Sequence, residues 1–241
     1  MWWLEDVTGF ADTFPSLSTA ERDRASAFVF EADRKRFVAR RSVVKYLLAA
    51  LHGCDPSEVA LGVNTYGKPV ITTGPYVFNT SSSGDSLLVA VGRRSEVGEI
   101  GVDLETLRPM PDALLIAQQF FSADEVAQLR RLSGDARLWA FFNCWTRKEA
   151  LVKAFGSGLS FDLNRFSVTM LADEPARILQ LDGQACGWHL YGWSPTQRHV
   201  AALATQFAPE EVRMHCVPTG HNGARTALSA PSASHAALKA S

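Results

Sequence analysis

Apolar residues recur at helical spacing in two long stretches of this chain and at shorter, strand-like spacing in the segments around them. From Phe37, the positions Phe37, Val44, Leu47, Leu48 and Leu51 fall at intervals of three, four and seven, which predicts an amphipathic helix ended by Gly53. Residues 19–52 as a whole read as helical. Runs at 59–63, 76–79, 87–91 and 98–105 read as short strands, with Tyr66-Gly67-Lys68-Pro69 as turn punctuation between the first two. The second half repeats a helix-then-strand order: helices at 112–119, 123–133 and 135–155, then strands near 165–170, 187–193 and 198–205. Two halves of similar grammar predict an α+β fold with mostly antiparallel strands, divided into residues 1–105 and 106–217. The stretch 218–241 is dominated by Ala, Ser, Thr, Gly and Pro and has no aromatic residue, so it is expected to be a disordered tail.

Composition narrows the class. The 241 residues are 46% hydrophobic and 20% charged, which excludes wholesale disorder. Twenty-four Lys and Arg against 25 Asp and Glu leave a net charge of −1, so no global field advertises nucleic acid. Four cysteines without a C-x-x-C pair point to a reduced chain without structural zinc. Two acids near the start, where a secretory signal carries base, and the lack of an 18-residue apolar run lead us to expect a cytoplasmic protein with no membrane partner. Charge is nonetheless clustered. Arg34, Lys35, Arg36, Arg40, Arg41 and Lys45 crowd one helical span, either as a solvated face or as a surface for phosphate or an acidic partner.

The candidate chemistry starts at Ile100-Gly101-Val102-Asp103-Leu104-Glu105. In a strand Ile100, Val102 and Leu104 face one way and Asp103 and Glu105 the other, so two carboxylates project side by side. Taken alone, this is also what an exposed edge strand looks like. The helix at 135–155 adds a third acid. Leu138, Phe141, Phe142, Trp145 and Val152 form its apolar stripe, and Glu149 falls inside that stripe with Lys153 one turn on. A surface Glu149–Lys153 pair, stabilising by about 0.2–0.5 kcal/mol, would not interrupt a core face. Three carboxylates from a strand end and a helix suit magnesium, with water and phosphate completing its shell, and a lysine beside them suits a phosphate oxygen. Phosphoryl transfer is the chemistry such a set supports. Lys68, in its tight turn, is placed to reach an anion. Phe78-Asn79-Thr80-Ser81-Ser82-Ser83-Gly84-Asp85 offers hydroxyls and backbone N–H groups as a diphosphate cradle, although a serine-rich turn between strands is also common.

Together these pieces resemble one family, the 4′-phosphopantetheinyl transferases of the larger, monomeric, surfactin-synthetase-activating type. The resemblance is carried by Tyr66-Gly67-Lys68-Pro69, by Phe78-Asn79 through Ser83-Gly84-Asp85, and by Ile100 to Glu105. Phe120-Phe121-Ser122 with Glu125, Trp145-Thr146-Arg147-Lys148-Glu149-Ala150 with Lys153, and Gly156-Ser157-Gly158-Leu159-Ser160 complete it. It covers roughly residues 20 to 205.

The resemblance implies two pseudo-symmetric halves, each a small sheet packed on a long helix, with coenzyme A and Mg2+ in the cleft between them. It implies transfer of phosphopantetheine to a serine of an acyl or peptidyl carrier protein, with release of adenosine 3′,5′-bisphosphate. Asp103, Glu105 and Glu149 would hold the metal, and Glu149 would be the candidate base. Lys153 would meet the pyrophosphate. Lys68, Arg36 and Arg40 would hold the adenosine end and its 3′-phosphate, with Ser81, Ser82 and Ser83 along the phosphates. Glu125 matches an acidic family position without an assigned role.

The family usually has histidine where this chain has Ser82, near the phosphates of coenzyme A. Loss of such a donor weakens nucleotide affinity more than it changes the reaction. Two further readings follow. One is a relative that binds coenzyme A or carrier proteins without turnover. The other is a magnesium-dependent phosphodiesterase or nuclease, disfavoured by the balanced charge and the lack of an extended basic, aromatic-studded groove.

Overall fold

The computed structural model describes residues 1–10, 17–156, 161–181 and 187–217, together with the backbone of 235–238. In chain order its elements are β1 (Trp2–Leu4), α1 (Thr19–Ser26), α2 (Glu31–His52), β2 (Leu61–Val63), β3 (Pro69–Ile71), β4 (Tyr76–Ser83), β5 (Ser86–Arg93), α3 (Arg94–Val97) and β6 (Ile100–Thr106). There follow α4 (Ala113–Phe120), α5 (Ala123–Arg131), α6 (Gly134–Phe155), β7 (Phe166–Val168), β8 (Ile178–Leu181), β9 (His189–Trp193), β10 (His199–Thr205), β11 (Val212–Val217) and β12 (His235–Leu238). The fold is α+β, as the patterning predicts, with all strand pairs antiparallel except β1 with β11.

The helical span 19–52 is two helices, not one. Ser18 caps α1 in a reciprocal box with Glu21, and α2 ends on Gly53 at φ 67. Between them Phe28 folds back to meet the Phe37 ring at 5.4 Å, and Glu21 pairs with Arg41 and Lys45 on α2. Those two basic residues therefore bind α1 rather than solvent, while Arg34 and Lys35 lie exposed against Glu31. Val44, Leu47 and Leu48 are buried as predicted; Leu51, at the end of the stripe, is exposed.

One sheet runs β12-β11-β1-β5-β4 and packs Leu4, Phe78, Leu87 and Val89 on α2. The other runs β6-β10-β9 and lies on α6. Two strands cross the division at 105/106: β6 joins the second sheet and β11 joins the first. A third core, including Trp3, Leu88, Val102 and Leu203, spans residues of both sheets. The predicted tail lies outside the described residues apart from β12, which pairs with β11.

Strands β4 and β6 are both sheet edges, and side chains join them. Asn79 Oδ1 accepts from the Val102 N–H at 2.8 Å, Ser81 Oγ donates to Asp103 at 2.8 Å, and Ser83 Oγ accepts from the Thr106 N–H at 3.0 Å. Asn79 and Ser83 thus take β6 N–H groups that a ladder partner would otherwise take, and Ser81 between them holds the Asp103 carboxylate. On its other side β6 meets α6 backbone to backbone. A Cβ at Gly101 would lie 2.0 Å from the Ala150 carbonyl oxygen and 2.3 Å from the Ala154 nitrogen. Only glycine lets the strand settle that close.

Glu125 has a structural position. It caps α5 with Ser122, accepts from the Val168 N–H, and pairs with Lys148 at 2.8 Å, both side chains buried. Lys148 also donates to the carbonyls of Leu163 and Phe166.

Two stability predictions follow from these contacts. Gly101→Ala drives a methyl into immobile backbone and should cost about 3 kcal/mol or more, at or beyond the usual range for overpacking. Gly84→Ala, with open space around its Cβ and φ 59, should cost only about 1–2 kcal/mol. Denaturant midpoints measure both, and equal losses would refute the backbone contact. Lys148→Met leaves Glu125 buried and unpaired, so it should lose about 3–5 kcal/mol; a loss below 1 kcal/mol in the same assay would show the pair to be dispensable.

Candidate active site

The seam between β4 and β6 opens onto a cleft of about 410 Å3 beneath α2. Its polar walls are Arg36, Arg40 and Arg41 from α2, Ser81 and Ser82 from β4, and Lys153 from α6. At the inner wall Lys153 Nζ lies 2.6 Å from Asp103 Oδ1 and 3.0 Å from Ser81 Oγ, and Ser81 donates to the same carboxylate oxygen. Asp103 itself is 5% exposed, and its second oxygen, Oδ2, is buried with no hydrogen-bond partner. A buried carboxylate oxygen with a free lone pair is costly unless an electropositive group comes to it.

Glu149, four residues before Lys153 on α6, is half-buried. Its carboxyl is held above the ordinary range by burial first, then by the charge of Asp103; Lys153 opposes this and Glu105 adds to it. The three predicted acids therefore feel one another. They do not form a closed cage: among the described residues no three His, Cys, Asp or Glu side chains are gathered to hold an ion. Lys153 and Ser81 occupy Asp103 Oδ1, and Glu105 is engaged by Ser83 at 3.3 Å and Arg108 at 3.1 Å.

The outer wall is basic and partly committed. Arg36 Nε bonds Asp85 at 2.7 Å, which holds the guanidinium firmly charged, and a second nitrogen meets Asp33 at 3.2 Å. Arg40 donates to the Gly84 carbonyl, but its Nε is buried and unpartnered. Burial and the charge of Arg36 both lower the pKa of Arg40. A cation in that position is stabilised by an added anion.

Of the residues singled out in the sequence, Arg36, Arg40, Ser81, Ser82 and Lys153 line the cleft, and Asp103 and Glu149 lie against its lysine wall. Ser83 and Glu105 sit at the seam. Lys68 is turned elsewhere: its ammonium donates to the Ile100 carbonyl at 2.9 Å and faces Glu99 at 3.8 Å, and burial lowers its pKa. Residues 157–160 of the loop after α6 lie outside the described residues. Sequence reasoning gave no individual role to Asn79, Gly101 or Asp85, although Asn79 and Asp85 stand in the predicted cradle. The alternation Asn79-x-Ser81-x-Ser83, matched to Asp103-x-Glu105, was the available signal for the seam.

No helix among the described residues is long and apolar enough to cross a membrane. Comparison with known proteins gives matches in both halves. A family model described as "4'-phosphopantetheinyl transferase superfamily" matches residues 99–204, and one described as "4'-phosphopantetheinyl transferase, N-terminal" matches residues 2–93. The 4'-phosphopantetheinyl transferase HetI of Nostoc sp. is 34% identical over 197 residues, 80% of each chain. A 4'-phosphopantetheinyl transferase of Bacillus subtilis is 32% identical over 70% of this chain and 73% of its own. Sfp of Bacillus subtilis strain 168 is 28% identical over 82% and 87%. With both halves matched and a relative similar along four-fifths of its length, the chain belongs to the 4'-phosphopantetheinyl transferase superfamily.

Proposed function

We propose that this enzyme transfers the 4′-phosphopantetheine group of coenzyme A to a serine hydroxyl of an acyl or peptidyl carrier protein, with Mg2+ as its metal, acting as a cytoplasmic monomer. The observation that carries the reading is the cluster of Asp103, Lys153 and Ser81 on the wall of a cleft that also holds Arg36 and Arg40. Coenzyme A bears a diphosphate and a third phosphate, and a cleft with cations on both walls suits such a molecule.

The reaction breaks the diphosphate P–O bond. The serine oxygen forms the new bond to phosphorus, its proton passes to a base, and adenosine 3′,5′-bisphosphate leaves with the bond's electron pair. Glu149 suits the base, because burial and Asp103 raise its affinity for a proton. Lys153 suits the leaving phosphate, being held in place by two partners and still partly exposed.

The residues also fit the metal. Asp103 Oδ2 is a buried, unpartnered oxygen, and Glu149 and Glu105 add two hard donors whose mutual repulsion a cation relieves. Mg2+ commonly takes one or two carboxylates plus substrate phosphates, so a prebuilt cage is not required. When bound it would neutralise charge on the diphosphate.

A second reading, capture of coenzyme A or a carrier without turnover, is favoured by Ser82, which lines the cleft where the family usually has histidine.

Incubation with coenzyme A, Mg2+ and an apo carrier protein should raise the carrier's mass by one phosphopantetheine. No mass change across fatty-acid and peptide carriers would overturn the proposal. Asp103→Ala and Glu149→Gln should each slow transfer by about 100-fold or more, and near-normal turnover in either would remove that residue from the site. Ser82→His should lower KM for coenzyme A about tenfold, the effect of one charge-assisted hydrogen bond. An unchanged KM would take away the motive for the second reading.

A further inference from the structure

The turn between β2 and β3 belongs to the first half of the chain, yet its side chains end on the two elements that carry the acids of the cleft. Asn64 Oδ1 accepts from the Tyr66 and Lys68 N–H groups, both at 2.9 Å, and so builds the turn itself. Its Nδ2 leaves the turn and donates to the Gly156 carbonyl at 2.9 Å, 92 residues along the chain. Lys68 Nζ, at the other end of the turn, donates to the carbonyl of Ile100, the first residue of β6. One edge of the asparagine amide thus shapes the turn, and the other holds the end of α6.

Gly156 closes α6 at φ 70, with its N–H on the Val152 carbonyl. Its own carbonyl lies past the last helical hydrogen bond and needs an outside donor. Water in that place would leave the terminal turn free to shift; a donor fixed in a turn does not. This last turn carries Lys153, whose ammonium meets Asp103 at 2.6 Å and Ser81 at 3.0 Å. Phe155 beside it packs on Phe161 and Trp188, contacts that have no preferred direction. The Asn64 bond adds to the backbone of the turn what those contacts lack, a fixed direction from the first half. Glu149, one turn earlier, has a separate anchor, because its neighbour Lys148 is tied to Glu125.

We propose that Asn64 is a positioning residue: it holds the last turn of α6 so that Lys153 stands at Asp103 on the wall of the cleft. Its effect on turnover rests on the transfer reaction proposed above, in which Lys153 meets the leaving phosphate.

Asn64→Asp separates the two functions of the side chain. A carboxylate keeps the acceptor bonds of the turn, loses the donor to Gly156, and opposes the carbonyl end of the helix. Hydrogen exchange on the full chain should be about tenfold faster or more at the Ala154, Phe155 and Gly156 amides and unchanged in α2. Transfer should show kcat lowered about tenfold or more, with KM for coenzyme A within about twofold. In a Lys153→Ala background, read from carrier mass over long incubations, the same substitution should change kcat by less than about twofold. A contact that served stability alone would cost the same factor in both backgrounds. Asn64→Ala, which drops the donor without adding charge, decides the matter if the aspartate variant does not fold. If the wild-type chain transfers nothing, the reaction proposed above fails, and the exchange rates alone decide whether Asn64 holds the end of α6. The proposal is overturned if exchange there is unchanged, if folded Asn64→Asp keeps wild-type kcat, or if its loss is undiminished without Lys153.

Discussion

The side-chain seam between β4 and β6 positions Asp103, Glu105 and Lys153. Two sheet edges ordinarily close by a backbone ladder; here Asn79, Ser81 and Ser83 reach across instead, each to its own group on β6. A ladder would hold the two strands at about 4.8 Å and leave no room between them. Side-chain bridges replace that ladder, and Ser81, in the middle one, meets both Asp103 and Lys153. The seam therefore joins the two sheets and holds the groups of the site with the same three residues.

The second constraint is the approach of β6 to α6 at Gly101. Because strand and helix backbones touch there, the helix is fixed in rotation as well as position, and three consecutive residues acquire three different surroundings. Arg147 turns to a cavity beside β9. Lys148 goes into the core, where it ties Glu125 and the carbonyls of Leu163 and Phe166 to the helix. Glu149 faces the charge of Asp103 and Glu105. A small rotation of α6 would unsettle all three at once, so the buried Lys148 pair, although remote from the cleft, helps to fix where Glu149 stands.

Much of this was legible in the sequence because periodicity reports burial. The helices at 112–119, 123–133 and 135–155 and the strand carrying Asp103 fall within a few residues of their observed bounds, and Glu149 announced itself by interrupting an apolar stripe. What stayed hidden depends on partners distant along the chain. The packing of α1 back on α2 is held by Glu21 reaching Arg41 and Lys45, which no local pattern records. The three-residue strand β1 exists because β5 and β11 flank it, and β11 crosses from the far end of the chain to do so. Lys68 looked like an anion ligand because its turn exposes it locally, yet the Ile100 carbonyl takes its ammonium. The role of Glu125 was unreadable for the same reason: its partners lie at 122, 148 and 168, on three elements.

The charge arrangement in the cleft has a direction. On the α2 wall Arg36 is held by Asp33 and Asp85 and Arg41 by Glu21, while Arg40 keeps an unpartnered Nε. On the β6 and α6 side Lys153 pairs with Asp103 and Arg108 with Glu105, while burial first and then the charge of Asp103 raise the affinity of Glu149 for a proton. An incoming anion would thus find Arg40 on the first wall and Lys153 on the second, with the acid Glu149 beside that lysine. Under the function proposed above, a phosphate-rich ligand would meet the free guanidinium edge of Arg40 at one wall and the ammonium of Lys153 at the other. A cleft that was uniformly basic would bind such a ligand more tightly and hold it without preference for one direction.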